Sequence, residues 1–452
     1  MASKIQRRTF LKRSSIAASG VAASALFSAP AVLADRSPND KLGVAVIGCG
    51  GAGGGNPKKG AGERLVALVD IDEKTLGKAR ESVKDKASDY RVFHDYRRMY
   101  DACHKDIDVV LIATPDHHHA PAAMRAIKLG KAVFVQKPLA HNIAECYALS
   151  RAAKEHKILG QMGNQGHYSE GIRRVCESIW AGVIGHVRET HTIFGRNFGG
   201  TAKISTGQPI PPGVHWDEWL GPAPSRDYHK GLHPFSWRSW RQFGTGTIGD
   251  MACHNIDAVH WAMRLADVEA FTVTCLSQSA GSQEQYTRDN VIRWDIPARG
   301  DMPPVKVFGY DHNKIKPAIM LELEKKHGIK FGEGSLFVGD KGFLYTKGNG
   351  SRGFEVLPEK LLKEAGGVPE VLTRAHGGPV SDLFYCLKNG GEPSSEIVTS
   401  AAPLTAFALT GHLAMFAGVE KPVEWNTKKM QCTNVPDINQ YVGREYRKGL
   451  EI

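Results

Sequence analysis

The sequence predicts an α/β protein with two domains: a doubly wound parallel sheet, followed by an α/β domain on a largely antiparallel sheet. A glycine-rich turn joins two short apolar runs, residues 44–47 and 65–69. Strand-like and helix-like segments then alternate up to residue 162, which is typical of parallel sheets with helical crossovers. Beyond residue 163 the strand-like runs no longer alternate regularly with helices, which indicates a second domain of different architecture.

Length and composition agree with two domains. A chain of 452 residues exceeds one ordinary core, and 42% apolar with 23% charged residues is typical of a globular protein. We divide it into a signal peptide (1–34), a nucleotide-binding domain (41–162), a substrate and oligomerisation domain (163–425) and a tail (426–452).

The first 34 residues predict export. Gln6-Arg7-Arg8-Thr9-Phe10-Leu11-Lys12 resembles a twin-arginine (Tat) signal, and we place the cleavage after Ala34. Residues 16–33 are Ala/Ser-rich and too polar for a stable membrane span. The expected location is the periplasm, reached in the folded state with nucleotide already bound.

Charge and cysteine usage exclude other classes. The formal net charge is +11, but residues 1–34 hold five basic and no acidic residues, which leaves 53 basic against 47 acidic. With no dense Lys/Arg block, nucleic-acid binding has no support. No Cys-x-x-Cys pair is present, so buried free thiols are the preferred interpretation, although export would permit a disulfide.

The glycine-rich turn predicts a dinucleotide site of the Rossmann type. Gly48, Gly50 and Gly53 have the spacing G-x-G-x-x-G after an apolar strand. A helix beginning there would direct its free amide groups at a pyrophosphate. Asp70 follows Gly48 by 22 residues, where a carboxylate accepts hydrogen bonds from the ribose of NAD and repels the 2′-phosphate of NADP. Asp72 is a second candidate for the ribose contact.

The predicted elements of the first domain bring three strand ends together. We expect strands at residues 44–47, 65–69, 90–93, 107–113, 132–135 and 158–162, and helices at 73–89, 96–103, 122–129 and 143–156. Ligands bind at the carboxyl ends of such strands. Residues 48–53, 114–119 and 136–138 therefore line one crevice.

The second domain is predicted from helices and separated strands. A helix at 169–182 and a strand at 187–194 precede a long Gly/Pro/aromatic segment, residues 195–246, and a helix at 247–265. We expect strands at 270–276, 290–296, 318–323, 335–339 and 342–346, then helices near 380–387 and at 401–417.

One predicted helix face carries catalytic residue types. Asp250, His254 and Asp257 are spaced four and three apart, so they share a face. A carboxylate one turn from an imidazole sets its tautomer and raises its basicity, as a general base for an alcohol proton requires. The alternative is a helix cap beside a buried, hydrogen-bonded histidine.

Lys137 is a second catalytic candidate. It follows a strand end and precedes Pro138, where its ammonium could polarise a carbonyl or hydroxyl oxygen in the crevice. An exposed strand-end lysine is the alternative.

Two further clusters have competing interpretations. His117, His118 and His119 are adjacent, so they cannot all face one ion, and we expect no metal site. Aromatic residues of the 195–246 segment, with Arg238 among them, form either a sugar-binding platform or an interface. These aromatic residues are Trp216, Trp237 and Trp240.

Together these motifs resemble the Gfo/Idh/MocA family of glucose–fructose oxidoreductase and inositol dehydrogenase. The motifs are Gly48-x-Gly50-x-x-Gly53, Ala113-Thr114-Pro115 with His119, Lys137-Pro138 and Asp250-x-x-x-His254-x-x-Asp257. The resemblance implies a large, mostly antiparallel open sheet in the second domain and a homo-dimer or tetramer. This chain has Gln136 where the family usually has glutamate before the lysine.

The resemblance also implies residue roles. The catalytic residues would be Lys137, Asp250 and His254. Cofactor contacts would be made by Gly48, Gly50, Gly53, Asp70, Thr114, Pro115, His119, Gln136 and Lys137. Candidate substrate contacts are Asn164, Trp237, Arg238, Trp240 and Asp257.

Three functions are compatible with these residues. The first is an exported dehydrogenase that acts on a sugar, polyol or glycoside and keeps its NAD tightly bound. The second is a redox-neutral, NAD-dependent glycosidase that works by transient oxidation and elimination. The third is a non-catalytic sugar-binding protein that retains NAD.

Overall fold

The computed structural model describes residues 40–204, 206–350 and 353–452. The predicted signal, residues 1–34, lies outside the described residues. The two-domain α/β architecture is confirmed, with one parallel sheet and one mostly antiparallel mixed sheet.

The first sheet has six parallel strands in the order β3-β2-β1-β4-β5-β6. They are β1 (Gly43–Ile47), β2 (Arg64–Val69), β3 (Arg91–Phe93), β4 (Val109–Ile112), β5 (Ala132–Gln136) and β6 (Gly160–Gly163). β1 is buried along its whole length, as its apolar sequence predicts. The strand order reverses between β1 and β4, and this reversal opens a crevice at their carboxyl ends.

Besides the later helix Pro379–Asn389, which packs against β6, five α-helices from the first domain cover this sheet in the described part of the chain. They are α1 (Asn56–Gly62), α2 (Glu73–Val83), α3 (Tyr96–Cys103), α4 (His119–Lys128) and α5 (Ile143–Glu155). Asp72 caps α2 by accepting from the amides of Lys74 and Thr75, and Asn142 caps α5 in the same way. The helix expected directly at Gly53 begins later, because a 3₁₀ turn, Gly51–Gly53, precedes α1.

The second sheet has nine strands in the order β13-β12-β11-β7-β10-β9-β8-β14-β15. They are β7 (Val187–Ile193), β8 (Ala270–Ser277), β9 (Val291–Ile296), β10 (Val305–Tyr310), β11 (Gly334–Gly339), β12 (Phe343–Lys347), β13 (Phe354–Leu357), β14 (Val423–Asn426) and β15 (Gln431–Cys432). β7 and β10 pair in parallel, and the other pairs are antiparallel.

One predicted strand of this domain is wrong. Residues 318–323 belong to helix Ala318–His327, which Gly328 ends with a left-handed φ of 67°. Leu, Met, Glu and Lys are strong helix formers, and their propensity outweighs the short apolar run that suggested a strand. Strands β10, β13, β14 and β15 were not predicted from the sequence.

The second domain contains eight α-helices among the described residues. They are α6 (Glu170–Trp180), α7 (Trp216–Leu220), α8 (Cys253–Asn255), α9 (Asp257–Ala262), α10 (Ala318–His327), α11 (Lys360–Glu364), α12 (Pro379–Asn389) and α13 (Ala402–Ala417). The helix predicted at 247–265 opens with a π-helical turn, Ile248–Ala252, before α8. Such turns occur often at functional sites.

Helix α13 joins the two domains. It packs against α5 of the first domain and β8 of the second. With the preceding turn it forms the one described helix, Ile397–Ala417, that is long and apolar enough to cross a membrane, but 78% of its most apolar window is buried in the fold. All eight cysteines are free and buried, as predicted.

Candidate active site

The glycine turn after β1 has the shape that its sequence predicts. Gly48 has φ +83°, and a Cβ there would lie 2.5 Å from the carbonyl oxygen of Ala113. A Cβ on Gly53 would lie 2.2 Å from the carbonyl oxygen of Gly48. Side chains are therefore excluded from the tight turn and from the packing of the turn on β4.

Asp70 closes this turn from the end of β2. Its two carboxylate oxygens accept the amide hydrogens of Cys49 (2.8 Å) and Asp72 (3.1 Å). Burial raises the pKa of Asp70 in spite of these amide donors. The Asp72 carboxylate is already engaged as the cap of α2, so Asp70 is the better placed of the two ribose candidates.

A cavity of about 370 Å³ follows the carboxyl edge of the sheet. Ten of the predicted site residues line it: Gly48, Gly50, Asp70, Thr114, Pro115, Gln136, Lys137, Trp237, Arg238 and Asp250. Six predicted residues lie outside this lining: Gly53, His119, Asn164, Trp240, His254 and Asp257.

The ends of β4 and β5 are tied together by His119. Its ring nitrogens lie 2.9 Å from the carbonyl oxygen of Thr114 and 2.7 Å from that of Pro138. Burial lowers the pKa of His119 to about 4, so the ring is neutral at physiological pH. His119 thus supports the crevice from behind.

Two polar side chains at these strand ends differ in their hydrogen bonding. The hydroxyl of Thr114 is buried and has no hydrogen-bond partner among the described residues. The side-chain oxygen of Gln136 accepts the backbone amide of Lys137 at 3.2 Å. Thr114 therefore offers an unused polar atom to a ligand in the cleft.

Lys137 and Asp250 form an ion pair inside the cleft. Nζ of Lys137 donates to Oδ1 (3.0 Å) and to the backbone carbonyl oxygen (2.8 Å) of Asp250. Nε of Arg238 lies 3.3 Å from the same Oδ1. Burial opposes ionisation of Asp250, but the two cations outweigh it and lower the pKa of its carboxyl.

His254 takes its orientation from Asn164, not from Asp250 as the helix spacing predicted. The Asn164 amide nitrogen donates to the carbonyl oxygen of Cys253 (2.6 Å) and to Oδ2 of Asp257 (2.8 Å). The Asn164 oxygen therefore faces Nδ1 of His254, 2.8 Å away, and this nitrogen must carry the proton. The lone pair of His254 is left on Nε2.

Charge and burial keep this imidazole neutral. Burial first, and then the ammonium of Lys137, lower the pKa of His254 to about 3, against the opposing effect of Asp250. Asp257 is 1% exposed and accepts from Nδ1 of His167 at 2.9 Å. This placement puts Asp257 behind Asn164 and away from the cleft, so it supports the site rather than touching a ligand.

Most aromatic residues of the 195–246 segment pack on one another. They form a local core: Trp216, Trp219, Leu220, Ala223, Tyr228, Leu232, Trp237, Trp240 and Phe243. Trp240 is 4% exposed and its indole donates to the carbonyl oxygen of Gly231, so it lies inside this core and not at the cleft. Trp237 reaches the cleft, with the Arg238 guanidinium 4.2 Å from its ring centroid.

The adjacent histidines do not converge on a metal. Both ring nitrogens of His117 lie near carbonyl oxygens, 3.2 Å from Phe243 and 2.9 Å from Trp219. His118 contacts the same Trp219 carbonyl at 2.8 Å. These contacts position α4 and the aromatic segment against each other.

A different group of described residues has ligand atoms within 4.8 Å of one another: Glu73, His94 and His215. The two imidazoles are stacked, with centroids 3.7 Å apart and planes 13° from parallel. Lone pairs lie in the ring planes, so two nearly parallel rings at this spacing cannot both point at one ion. Nε2 of His94 instead pairs with Glu73 at 2.9 Å.

Several residues that line the cleft were not among the named site candidates, and Asp116 and Leu450 are two of them. Asp116 accepts from the Thr245 hydroxyl at 2.6 Å, and burial raises the pKa of its carboxyl to about 7. Leu450 reaches the cleft from the far end of the chain. Asp116 lies within the range 114–119 that the sequence predicted to line the crevice, although no role was assigned to it, whereas no pattern in the sequence indicates Leu450.

Two family models match the chain. The model described as "Oxidoreductase family, NAD-binding Rossmann fold" matches residues 42–163. The model described as "Oxidoreductase family, C-terminal alpha/beta domain" matches residues 177–294. Both carry the name GFO_IDH_MocA.

Curated relatives match over different lengths. Inositol 2-dehydrogenase of Burkholderia multivorans is 34% identical over 149 residues, 32% of this chain and 43% of that protein. The match thus spans less than half of that relative. A glycosyl hydrolase family 109 protein of Solibacter usitatus is 26% identical over 437 residues, 88% of this chain and 92% of that protein.

Solved structures show the same fold at low identity. The WlbA dehydrogenase of Bordetella pertussis, solved in complex with NADH and UDP-GlcNAcA, superposes with a TM-score of 0.57 at 15% identity, over 84% of this chain and 98% of that one. Because both of its domains match models of one family, the chain belongs to the Gfo/Idh/MocA oxidoreductase family.

Proposed function

We propose that this protein is an exported oxidoreductase that transfers hydride between a hydroxyl-bearing carbon of a sugar, polyol or glycoside and a tightly held NAD. The observation that carries the proposal is the Lys137–Asp250 ion pair in a cleft that also contains the Gly48 turn and Asp70. One cavity therefore contains the proposed catalytic cation, the carboxylate that orients it and the residues that would bind the dinucleotide.

The residues of the cleft fit NAD. The Gly48–Gly53 turn leaves its backbone open to a pyrophosphate, Asp70 stands at the ribose position, and the Thr114 hydroxyl lacks a partner. The carboxylate of Asp70 favours NAD over NADP. When bound, the cofactor accepts or returns a hydride at its nicotinamide ring.

Side chains of the protein accept the hydroxyl proton of the substrate and stabilise the charge that it leaves. His254 is neutral, with Nδ1–H held by Asn164, so Nε2 is the atom that accepts the hydroxyl proton of the substrate. Lys137 stabilises the negative charge that develops on this oxygen. Asp250 holds Lys137 in place and is itself kept ionised by it.

Substrate binding is assigned to the mouth of the cleft. Trp237 offers an aromatic face, Arg238 offers donors for hydroxyl groups, and both line the cavity. Asn164 and Asp257 act through His254. The open sheet of the second domain is the surface through which we expect homo-oligomers to form.

A retained cofactor needs to return to its starting redox state. If residues 1–34 direct the folded protein to the periplasm, free NAD is scarce there. A second substrate would then reverse the first hydride transfer, or the reaction would be redox-neutral overall.

The redox-neutral glycosidase is the second candidate. The match to the glycosyl hydrolase family 109 protein extends over 88% of this chain, and it specifically favours this candidate. Transient oxidation of a ring hydroxyl acidifies the neighbouring C–H, elimination expels the aglycone, and addition of water and reduction follow. Lys137 and His254 would serve both reactions.

Product analysis distinguishes the candidates. The protein is purified without added nucleotide, its bound cofactor is extracted and identified, and it is incubated with sugars and aryl glycosides. Lasting NADH formation, or oxidation of one sugar matched by reduction of another, supports the oxidoreductase. Aglycone release without net NADH, lost in Lys137→Ala or His254→Ala, supports the glycosidase. Bound sugar with no turnover would indicate a binding protein.

Replacement of Asn164 tests the proposed proton acceptor. Asn164→Ala removes the acceptor that fixes the His254 tautomer, so we expect turnover to fall by about 10- to 100-fold, less than the loss of about 10²- to 10⁴-fold expected for His254→Ala. Bound NAD should be unchanged, because Asn164 lies outside the cleft lining. Equal activity of Asn164→Ala and the unmodified protein would remove Asn164 from the mechanism.

A further inference from the structure

Residues 442–452 run back across the first domain. The backbone carbonyl of Val442 accepts the amide of Ala144 at 2.9 Å. Nε of Arg444 and the hydroxyl of Tyr446 each donate to Oε1 of Glu145 at 2.8 Å, and Glu145 is fully buried. A buried carboxylate held by two donors anchors this segment firmly to α5.

A second anchor joins the segment to the aromatic region. The guanidinium of Arg447 makes two parallel bonds to the carboxylate of Asp217, at 2.8 and 3.0 Å. Its backbone amide donates to the carbonyl oxygen of Pro222 at 3.0 Å. Hydrogen bonds from Arg447 lower the pKa of Asp217, which shows that the pair favours the charged state. Asp217 lies on α7, next to the cleft residues Glu218 and Trp219.

Leu450 lies beyond these anchors and is 6% exposed. It lines the candidate active-site cleft and also a second cavity of about 540 Å³ on its other side. Tyr96 and Arg97 line both cavities as well. These three side chains therefore form the wall between the cleft and the outer cavity.

The wall stands at a definite end of the cleft. Tyr96 and Arg97 open α3, which follows β3, and β3 pairs with β2 beside Asp70. Asp70 marks the ribose position, whereas Lys137 and Asp250 mark the reacting end. The segment therefore borders the adenosine end of the nucleotide, away from the chemistry.

We propose that residues 444–450 are a strap that closes the adenosine end of the cleft and slows release of the dinucleotide. The inference rests on the proposed function, because it takes NAD as the occupant of the cleft. Its physical basis is the Leu450 wall together with the preceding segment, which is held by Glu145 on α5 and by Asp217 on α7. A strap of this kind suits an enzyme that must keep its cofactor through many turnovers.

Charge exchange across the Arg447–Asp217 pair tests the strap. The variants Arg447→Asp and Asp217→Arg each place like charges together, and the double variant restores an opposite pair with reversed polarity. NADH is loaded onto each protein, and its release into an excess of unlabelled NAD is followed by fluorescence. Lys448→Glu is the matched control, because it makes a similar charge change on an exposed neighbour.

We expect release about tenfold faster in each single variant. The double variant should return to within about threefold of the unmodified rate. Leu450→Ala, which thins the wall without touching the anchors, should also accelerate release. Turnover at saturating added NAD should be retained in Arg447→Asp and Asp217→Arg, whose side chains lie outside the cleft lining, and thermal melting followed by circular dichroism confirms that the compared proteins are folded.

Two results would overturn the strap. One is release from Arg447→Asp and Leu450→Ala at the same rate as from Lys448→Glu. The other is a folded double variant that releases NADH as fast as the single variants. Failure of the proposed function has a different signature, since the unmodified protein would then neither contain nor take up NAD or NADH.

Discussion

Replacement of Lys137 by alanine is expected to lower turnover by about 10²- to 10³-fold with the nucleotide still bound. The ammonium lies in the cleft, 3.0 Å from Oδ1 of Asp250, where few water molecules screen its charge. No other described cation replaces it on the Asp250 backbone carbonyl. The measurement is steady-state turnover together with the NAD content of the purified variant.

The same substitution should change the pH profile. Lys137 lowers the pKa of both His254 and Asp250, so its removal raises both. The acid limb of turnover, set by protonation of His254, should move from near pH 3 toward higher pH in the residual activity of Lys137→Ala. An unshifted limb would show that His254 is not the proton acceptor.

Lys388→Ala is the matched control for this experiment. Nζ of Lys388 lies 2.6 Å from Oε1 of Glu63, in a similarly half-buried pair that is absent from the cleft lining. Both variants lose one partner of an ion pair and should be destabilised. Only Lys137→Ala should lose turnover, and comparable losses in both would assign the effect to general destabilisation.

Acid should destabilise the protein through its buried histidines, and His260 isolates the effect. Burial lowers the pKa of His260 to about 3, and its Nε2 has no partner among the described residues. Below the unfolded value of 6.5, protons bind the unfolded state more than the folded state, so stability falls as pH decreases from 6.5 to about 3.

The variant His260→Leu removes this dependence. Between about pH 8 and about pH 5, His260 lowers the free energy of unfolding of the unmodified protein by about 2 kcal/mol. The variant lacks this loss, so its stability relative to the unmodified protein should be about 2 kcal/mol higher at about pH 5 than at about pH 8. Urea unfolding at several pH values measures it. His327→Gln, at the exposed end of α10, is the control and should show no such trend. A His260→Leu difference that is constant with pH would contradict the prediction.

Buried carboxyl groups act in the opposite direction. Burial raises the pKa of Asp116, Asp311 and Glu396 to about 7, so their contributions to stability are lost as pH rises through that value. Comparison of a variant with its parent at each pH cancels these groups. The His260→Leu difference therefore reports one histidine even though the total pH dependence combines many sites.

Local sequence patterns predicted the first domain closely. β1, β2, β4 and β5 lie where apolar runs indicated, because fully buried parallel strands require such runs. Residues 318–323, which belong to the helix Ala318–His327, were assigned as a strand, since a short apolar run suits either structure. Strands β10 and β13–β15 were missed because their pairing partners, not their own sequences, decide their structure.

Part of the candidate site was likewise predicted from the sequence, and part was not. Gly48, Asp70 and Lys137 were assigned from sequence because each follows a strand in a position that the chemistry requires. The roles of Asn164 and Asp257 were not, although both residues were on the list of candidates. Helix periodicity suggested Asp250 as the partner of His254, but Asp250 is taken by Lys137 and Arg238.

The sequence by itself determined the family, the dinucleotide turn and the identity of Lys137, Asp250 and His254 as candidate catalytic residues. Only the tertiary structure decided which groups touch. Nδ1 of His254 meets Asn164 across 90 residues of chain, and Arg444 meets Glu145 across 299. Periodicity reports the backbone within a few turns, whereas contacts at such separations depend on how distant segments of the chain pack together. The hydrogen bond that fixes the His254 tautomer and the Leu450 wall of the cleft both belong to that packing.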